Sequence, residues 1–290
     1  MRPPDLPQAH TRTLVHAGEP RFYKVFLPEG LPPRAPLVVM MHGATQSAEL
    51  VRRSSGYAFE RVAMREKFAL VYPSSLDGRW GDLRVFEGSE ALEPRDDSGF
   101  IVRMIDALIT QHELDRARVL LAGFSNGGHL AFRLSLERPE THAAIAVFAA
   151  NLPVASRMRS VTDRGVAKPV LLVNGSEDPV NPDGGGIVGL NPGEDRGTVR
   201  STLDTIAFFR ARAGHTQPPI VDVIEPQEPD GTRVVRSRWA AQGLVEVELC
   251  HIEGGGHVVP QPHVRLNDVG RTTTALNGAE EAWAFFARTF

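Results

Sequence analysis

The sequence predicts an α/β fold in which helices cover both faces of a mostly parallel central sheet. Short, continuous apolar segments alternate along the chain with longer segments whose apolar residues recur at helical spacing. Continuous apolarity is typical of strands buried on both faces, and strand–helix alternation is typical of parallel sheets built from right-handed crossovers. The predicted strands cover residues 21–26, 35–41, 68–72, 118–122, 144–148, 169–173 and 244–249, and the predicted helices cover residues 47–66, 99–112, 126–136 and 279–289.

The domain organisation expected from this pattern is simple. The chain shows no internal repeat and no break in composition that would separate two domains. Residues 1–20 are rich in proline and polar groups and are predicted to form an N-terminal extension. Residues 21–290 are predicted to form a single α/β domain, with long surface loops at about 179–197 and 225–238, where glycine, proline and polar residues concentrate.

Charge argues against a nucleic-acid partner. The 290 residues include 32 Lys and Arg against 35 Asp and Glu, a formal net charge of −3. Such a chain has no basic field to hold a phosphate backbone, so we expect no nucleic acid to bind. The ten histidines include no pair at metal-ligand spacing on one helix, so we expect no metal ion.

Cysteine usage and hydropathy bear on the compartment. The single cysteine, Cys250, excludes an intramolecular disulfide, which is typical of reducing compartments. Its place in an alternating strand predicts a small buried residue rather than a reactive thiol. The N-terminus has no apolar run of the signal-peptide kind, and no stretch approaches the roughly 20 apolar residues of a membrane helix. We therefore expect a cytoplasmic protein without membrane association, with secretion as the alternative if a leader has been removed.

The strongest chemical signal is the pattern Gly-x-Ser-x-Gly, which here places Ser125 between Gly123 and Gly127. It directly follows a predicted apolar strand and directly precedes a predicted helix, as a nucleophile elbow requires. The glycines fit because side chains on either side of such a sharp turn would collide with neighbouring backbone. The alternative is a glycine-rich turn in which the serine only caps a helix. The context favours Ser125 as a nucleophile in an α/β-hydrolase fold.

A serine hydroxyl needs a base to take its proton, and His257 is the best candidate. In this fold the acid and then the histidine follow the serine along the chain, each after a strand. His257 follows a predicted strand and three consecutive glycines that permit a tight turn. His251, within the strand, and His263, in a proline-flanked loop, are the alternatives.

The acid that orients the histidine is predicted to be Asp178. The buried strand at 169–173 runs into a polar turn, and a carboxylate there can accept the second N–H of the imidazole. Glu177 and Asp183 are the alternatives, although Asp residues also favour turns for local reasons.

Two backbone N–H groups are expected to receive the oxyanion that develops during acyl transfer. One belongs to Asn126, the residue after the nucleophile. The other lies in the loop after the early strand, where Ala44 is favoured and Gly43 and Thr45 stay open.

Trp80 is a tentative substrate-binding residue. It lies in a loop after a predicted strand, on the sheet edge where the site is expected. An indole there could stack on an aromatic or sugar group of a substrate. The alternative is that it anchors its own loop.

Taken together, these motifs resemble the polyhydroxybutyrate depolymerase and feruloyl esterase-like branch of the α/β hydrolases, a group similar to carbohydrate esterase family 1. The resemblance implies a serine esterase with Ser125, Asp178 and His257 as a triad and no cofactor. It implies substrates such as hydroxyalkanoate, feruloyl, acetyl or short acyl esters, either small or oligomeric. The depolymerases often have alanine where this chain has Asn126. The matching segments are residues 41–46, 98–101, 123–128, 175–180 and 254–257.

We therefore expect hydrolysis of a carboxylic ester through an acyl-serine intermediate. The same fold also hosts thioesterases, peptidases and acyltransferases, so those activities are alternatives. A non-catalytic binding protein is a further alternative of another class.

Overall fold

The structure is a computed structural model that describes residues 6–191, 193–262 and 269–290. Within these ranges, ten strands form one sheet in the order β1-β2-β4-β3-β5-β6-β7-β12-β11-β10. The six strands from β4 to β12 in this order are parallel, and the two at each edge pair antiparallel. The strands are β1 (His10–His16), β2 (Glu19–Phe26), β3 (Leu37–Met41), β4 (Ala69–Pro73), β5 (Val119–Phe124), β6 (Ala144–Phe148), β7 (Val170–Gly175), β10 (Ile220–Ile224), β11 (Arg233–Trp239) and β12 (Val247–Glu253), with β8 (Gly186–Ile187) and β9 (Thr198–Val199) in a separate small hairpin.

Helices pack on both faces of the sheet, so the predicted fold class is confirmed. Every residue of the strands from β3 to β7 that lie in the large sheet is buried. Alternate residues of β5 join different apolar layers, with Leu121 in one and Leu120 in the other. The helices are α1 (Ala48–Ser54), α2 (Ala58–Glu66), α3 (Asp97–His112), α4 (Asn126–Glu137), α5 (Thr202–Arg212) and α6 (Gly278–Ala287).

The predicted helix at 47–66 is two helices. Ser47 caps α1, because its side chain accepts a hydrogen bond from Leu50 N–H. Gly56 and Tyr57 then adopt φ values of 63° and 56°, in the left-handed region that ends a helix. The apolar spacing continues across this break because both helices pack on the same side of the sheet.

The first twenty residues are not simply an extension. Residues 10–16 form β1, which pairs along its length with β2 in a hairpin that crosses the predicted boundary at residue 20. The strand is mostly exposed and so carries no apolar alternation.

The predicted loop at 225–238 is wrong in its second half, because residues 233–239 form β11. This strand lies between β12 and the edge strand β10, and its polar composition hides it. In the predicted loop at 179–197, the described residues form no regular element apart from the short strand β8. No helix in the described ranges is long and apolar enough to cross a membrane.

Candidate active site

Ser125 lies on a strained turn between β5 and α4. Its φ of 53° and ψ of −118° are rare for a residue with a side chain, and its N–H donates to Phe148 O at 2.8 Å. A Cβ at Gly123 would come within 2.2 Å of Gly127 O, and a Cβ at Gly127 within 2.4 Å of Met41 O. The predicted steric need for both glycines is confirmed. The turn projects the hydroxyl beyond the carboxyl edge of the parallel strands.

Three side chains predicted from the sequence meet at this edge. The Oγ of Ser125 lies 2.9 Å from His257 Nε2, and the Nδ1 of His257 lies 2.7 Å from Asp178 Oδ2. The other oxygen of Asp178 accepts the N–H groups of Val180 and Asn181 at 2.7 and 2.8 Å. The carboxylate is therefore fixed by its own turn, and it can fix the tautomer and orientation of the imidazole.

The alternatives for the base and the acid lie elsewhere or make other contacts. His251 is part of β12, and its Nε2 lies 3.0 Å from Asp183 Oδ1. Glu177 is exposed and pairs with Arg271 at 2.7 Å. His263 lies outside the described residues. Of the described candidates, His257 and Asp178 are the pair in line with Ser125.

The loop after β3 leaves one candidate oxyanion donor free. Gly43 N–H donates to the side-chain oxygen of Gln46 at 3.1 Å, and Thr45 N–H donates to Gly78 O at 2.7 Å. Within the described part of the chain, the N–H groups of Ala44 and of Asn126, the first residue of α4, have no acceptor. The N–H groups of a first helical turn have no partner inside the helix and carry its positive end. Ala44 and Asn126 are therefore the available pair.

His42 orients the Ala44 N–H, a role that the sequence analysis missed. Its Nδ1 donates to Gly43 O at 2.7 Å, while its Nε2 accepts Ser75 N–H at 3.1 Å, which sets the tautomer. Burial lowers the pKa of His42 to about 4, so the ring is neutral. Gly43 O and Ala44 N–H belong to one trans peptide, in which the C=O and N–H groups point in opposite directions. The hydrogen bond from His42 that holds Gly43 O therefore also fixes the direction of Ala44 N–H.

The prediction that Trp80 binds the substrate is wrong. Its side chain is 0% exposed, its ring lies 4.8 Å from that of His42, and its Nε1 donates to His42 O at 2.9 Å. The indole lies under the loop that carries the oxyanion donor, because its N–H and its apolar surface are both satisfied there. Trp80 anchors this loop rather than facing a substrate.

The side chain of Asn126 ties the start of α4 to the Trp80 loop. Its Oδ1 accepts Trp80 N–H at 2.8 Å, and its Nδ2 donates to Asp82 Oδ2 at 2.6 Å. Burial by itself would raise the pKa of Asp82, but the Arg84 guanidinium and its hydrogen bonds hold that pKa below its usual value. The buried anion therefore keeps Asn126 in place. The asparagine itself, where depolymerases often have alanine, was the signal that could have revealed this network.

A cavity of about 360 Å³ opens in front of Ser125 and His257. Its walls are largely apolar, with Leu50, Phe124, Val180 and Leu190 among the lining residues. Arg196 also lines it. Its side chain is 22% exposed, so it is largely buried at the cavity wall.

A second cluster has metal-ligating side chains but is already neutralised. Among the described residues, Glu248, Cys250 and Glu281 bring three such atoms together. Arg236 and Arg288 form ion pairs with the two carboxylates. Burial raises the pKa of the Cys250 thiol, and the prediction that this cysteine is buried is confirmed. The ion pairs of this cluster join β11 and β12 to α6.

Comparisons with known proteins agree with this architecture. The family model described as esterase PHB depolymerase matches residues 21–195. The chain is 30% identical to the putative esterase NocK of Nocardia uniformis subsp. tsuyamanensis, over 94% of this chain and 81% of NocK. It is also 30% identical to poly(3-hydroxyalkanoate) depolymerase C of Paucimonas lemoignei, over 42% of this chain and 30% of that protein.

Solved structures show the same fold at low sequence identity. The acetyl xylan esterase from Aspergillus awamori superimposes with a TM-score of 0.65 at 16% identity, over 96% of this chain and 99% of that one. A complex of pOPH_S172C with DMSO gives a TM-score of 0.60 at 18% identity, over 98% of this chain and 87% of that one. These two likenesses concern the fold alone.

Proposed function

This chain belongs to the esterase PHB depolymerase family, and on that premise we propose that it hydrolyses carboxylic esters through an acyl-enzyme formed on Ser125. The hydrogen-bonded series Ser125–His257–Asp178, with contacts of 2.9 and 2.7 Å, carries the proposal. The carboxylate fixes the tautomer of the histidine, which would then activate the serine. One oxygen of this carboxylate contacts the histidine, and the other is held by its own turn. The resemblance seen in the sequence is confirmed at the level of the family.

The proposed reaction has two halves. His257 Nε2 takes the proton of Ser125 Oγ as that oxygen attacks the ester carbonyl, and the N–H groups of Ala44 and Asn126 receive the oxyanion. The imidazolium then gives its proton to the departing alkoxide, and the alcohol leaves. In the second half, His257 deprotonates water, which attacks the acyl carbonyl and restores the serine with release of the acid.

The substrate class proposed for the chain is a soluble acyl ester, small or oligomeric. The cavity of about 360 Å³ has room for a short acyl or hydroxyacyl group against its apolar wall. The relatives' names concern hydroxyalkanoate and acetylxylan esters, which share an ester bond to a short acyl group. No observation at the site favours an amide or a thioester over an oxygen ester.

Hydrolysis of p-nitrophenyl esters from acetate to octanoate tests this proposal. Ser125→Ala is expected to lower the rate by at least about 10³-fold, because it removes the hydroxyl that lies in hydrogen-bond contact with His257. Ser54→Ala, which removes another serine hydroxyl from the cavity wall, serves as the matched control and should retain most of the activity. A Ser125→Ala protein as active as the parent would overturn the mechanism. A strong preference for matched amides or thioesters would overturn the choice of ester.

A further inference from the structure

Arg196 is the one permanently charged side chain among the described residues that line the cavity. The cavity walls otherwise combine apolar side chains with neutral polar groups and the imidazole of His257. From this placement we propose that Arg196 makes the cavity selective for esters that carry a carboxylate, in either the acyl or the alcohol part. This inference rests on the proposed ester hydrolysis and adds the substrate class.

A closed hairpin holds Arg196 at the cavity. Val188 N–H donates to Gly197 O at 2.8 Å, and Arg196 N–H donates back to Val188 O at 2.9 Å. The side chains of Val180, Val188 and Val199 form a small apolar cluster of their own. The backbone that carries Arg196 is therefore fixed on both sides, so the guanidinium does not depend on a free loop for its position.

The guanidinium of Arg196 has N–H donors that the described contacts do not use. Its five N–H bonds can form several hydrogen bonds at once, yet the described contacts use only Nη2, which pairs with Glu194. The Nε atom is buried and has no hydrogen-bond partner among the described residues. A buried donor without a partner is costly, and a carboxylate is the group that an arginine fork binds best.

Glu194 orients Arg196 through an ion pair, but Glu194 itself does not line the cavity. One carboxylate oxygen of Glu194 accepts the N–H groups of Leu190 and Asn191 at 2.9 and 3.3 Å, and the other meets Arg196. Glu194 is not among the lining residues, whereas Arg196, Leu190 and Asn191 are. The carboxylate therefore lies behind the arginine, holding it and the rim of the hairpin.

The rest of the cavity defines what lies between the carboxylate and the scissile bond. Leu50, Phe124 and Val180 give it an apolar wall that suits a short hydrocarbon chain. Because Ser125, His257 and Arg196 line the same cavity of about 360 Å³, an ester that fills it meets all three. The structure assigns an ester with a short apolar spacer and a terminal anion.

Two matched substrate pairs test this assignment, each followed by pH-stat titration. Monoethyl adipate and ethyl hexanoate differ by a carboxylate in the acyl part, and 4-acetoxybutanoate and butyl acetate differ by one in the alcohol part. The readout is the ratio of kcat/KM for the anionic ester to kcat/KM for the neutral ester. In at least one pair this ratio should fall about tenfold in Arg196→Gln, the size expected when one charge-assisted contact is lost.

Three further variants separate anion binding from a structural ion pair. Glu194→Gln keeps an oxygen for the backbone N–H groups and removes the competing charge, so it should raise the same ratio. Arg196→Lys, which keeps the charge and loses the fork, should fall between the parent and Arg196→Gln. Arg103→Gln removes an exposed arginine of α3 outside the cavity and should leave the ratio unchanged. If Arg196→Gln and Glu194→Gln shift the ratio in the same direction, the pair is structural and the inference is overturned.

Binding of the same four compounds to the Ser125→Ala protein, measured by calorimetry, keeps this inference separate from the proposed function. If the parent hydrolyses neutral esters and no ratio responds to Arg196→Gln, the inference falls and the esterase proposal stands. If the parent hydrolyses none of the esters, the esterase proposal falls. In that case tighter binding of an anionic compound that is lost in Arg196→Gln would support anion recognition, and equal binding would overturn it.

Discussion

The contacts of Asp178 allow its role in orienting His257 to be tested separately from the effect of a negative charge near the site. Asp178→Asn keeps the shape of the side chain, but its amide nitrogen cannot accept the Nδ1–H of His257. The imidazole is then stabilised in the wrong tautomer, so we expect kcat to fall on the order of 10⁴-fold while the fold is retained. Steady-state kinetics with p-nitrophenyl butyrate, together with a circular dichroism spectrum, measure both.

Glu177→Gln is the matched control for that change. It removes a carboxylate one residue away that is exposed and pairs with Arg271, and activity should change by less than about threefold, as is usual at exposed ion pairs. Similar losses in the two variants would show that charge near the turn, rather than the contact with His257, is what matters.

His42 gives a second test at the scale of single residues. His42→Asn should weaken the hold on Gly43 O and let the Ala44 N–H turn away from the oxyanion. Loss of one oxyanion donor typically costs on the order of 10² in kcat. Because the donor acts in the transition state, KM should change little. A variant that raises KM and leaves kcat unchanged would contradict this role.

The sequence could identify residues that carry a local pattern and could not identify those defined by distant contacts. Ser125 has the glycine turn, and His257 and Asp178 follow predicted strands. By contrast, the tautomer of His42 is set by Ser75 on another loop, and Trp80 is buried under the loop that carries the oxyanion donor. Arg196 enters the cavity on a hairpin whose pairing involves only short segments. Such contacts have no signature in the neighbouring residues.

At the scale of elements, the elbow depends on two glycines, and Gly127 is the more informative. A Cβ there would lie within 2.4 Å of Met41 O. This position therefore sets how closely α4 approaches the end of β3. We expect Gly127→Ala to lower the free energy of unfolding by about 3 kcal/mol and to abolish most activity, because backbone cannot yield as a side chain can. Urea denaturation and ester hydrolysis measure the two effects.

Gly184→Ala is the control, since a Cβ at Gly184 meets nothing within 4 Å. Its free energy of unfolding should match that of the parent to within about 0.5 kcal/mol. An elbow that accepted alanine at residue 127 as easily as the loop accepts it at residue 184 would show that the turn is not sterically constrained.

The strands that the sequence predicted are those whose burial on both faces makes them continuously apolar. The strands of the large sheet that it missed, β1, β10 and β11, lie at or next to the sheet edges, and β1 and β10 expose most of their residues. Helix α5 was missed for a related reason, because Thr202 and Thr205 occupy buried positions and interrupt its apolar stripe. Burial of apolar side chains produces the hydrophobic pattern of the sequence, so elements that bury few of them give only a weak signal.

At the scale of the whole molecule, buried neutral histidines should make stability depend on pH. Burial lowers the pKa of His42 to about 4 and that of His142 to about 3, and it also lowers the pKa of His129. Since these rings ionise near pH 6.5 when unfolded, the unfolded chain binds more protons below that pH. Stability is therefore complete above about pH 6.5 and falls as the pH decreases, by about 2 kcal/mol for each of His42 and His142 at about pH 5.

His142→Leu isolates one of these contributions at a position away from the catalytic edge. The stability of the parent should fall more steeply than that of the variant between about pH 7 and about pH 5, by about 2 kcal/mol. Urea denaturation curves across that range provide the measurement. Parallel pH profiles for the two proteins would mean that His142 is not held neutral in the fold.

Trapping the acyl-enzyme tests the central claim most directly. The protein is mixed with p-nitrophenyl acetate, quenched in acid within the first turnover and digested for mass spectrometry. The account predicts an acetyl group on Ser125, and no such adduct in Ser125→Ala. Full turnover by the parent with no adduct, or with the acetyl group on another residue, would contradict it.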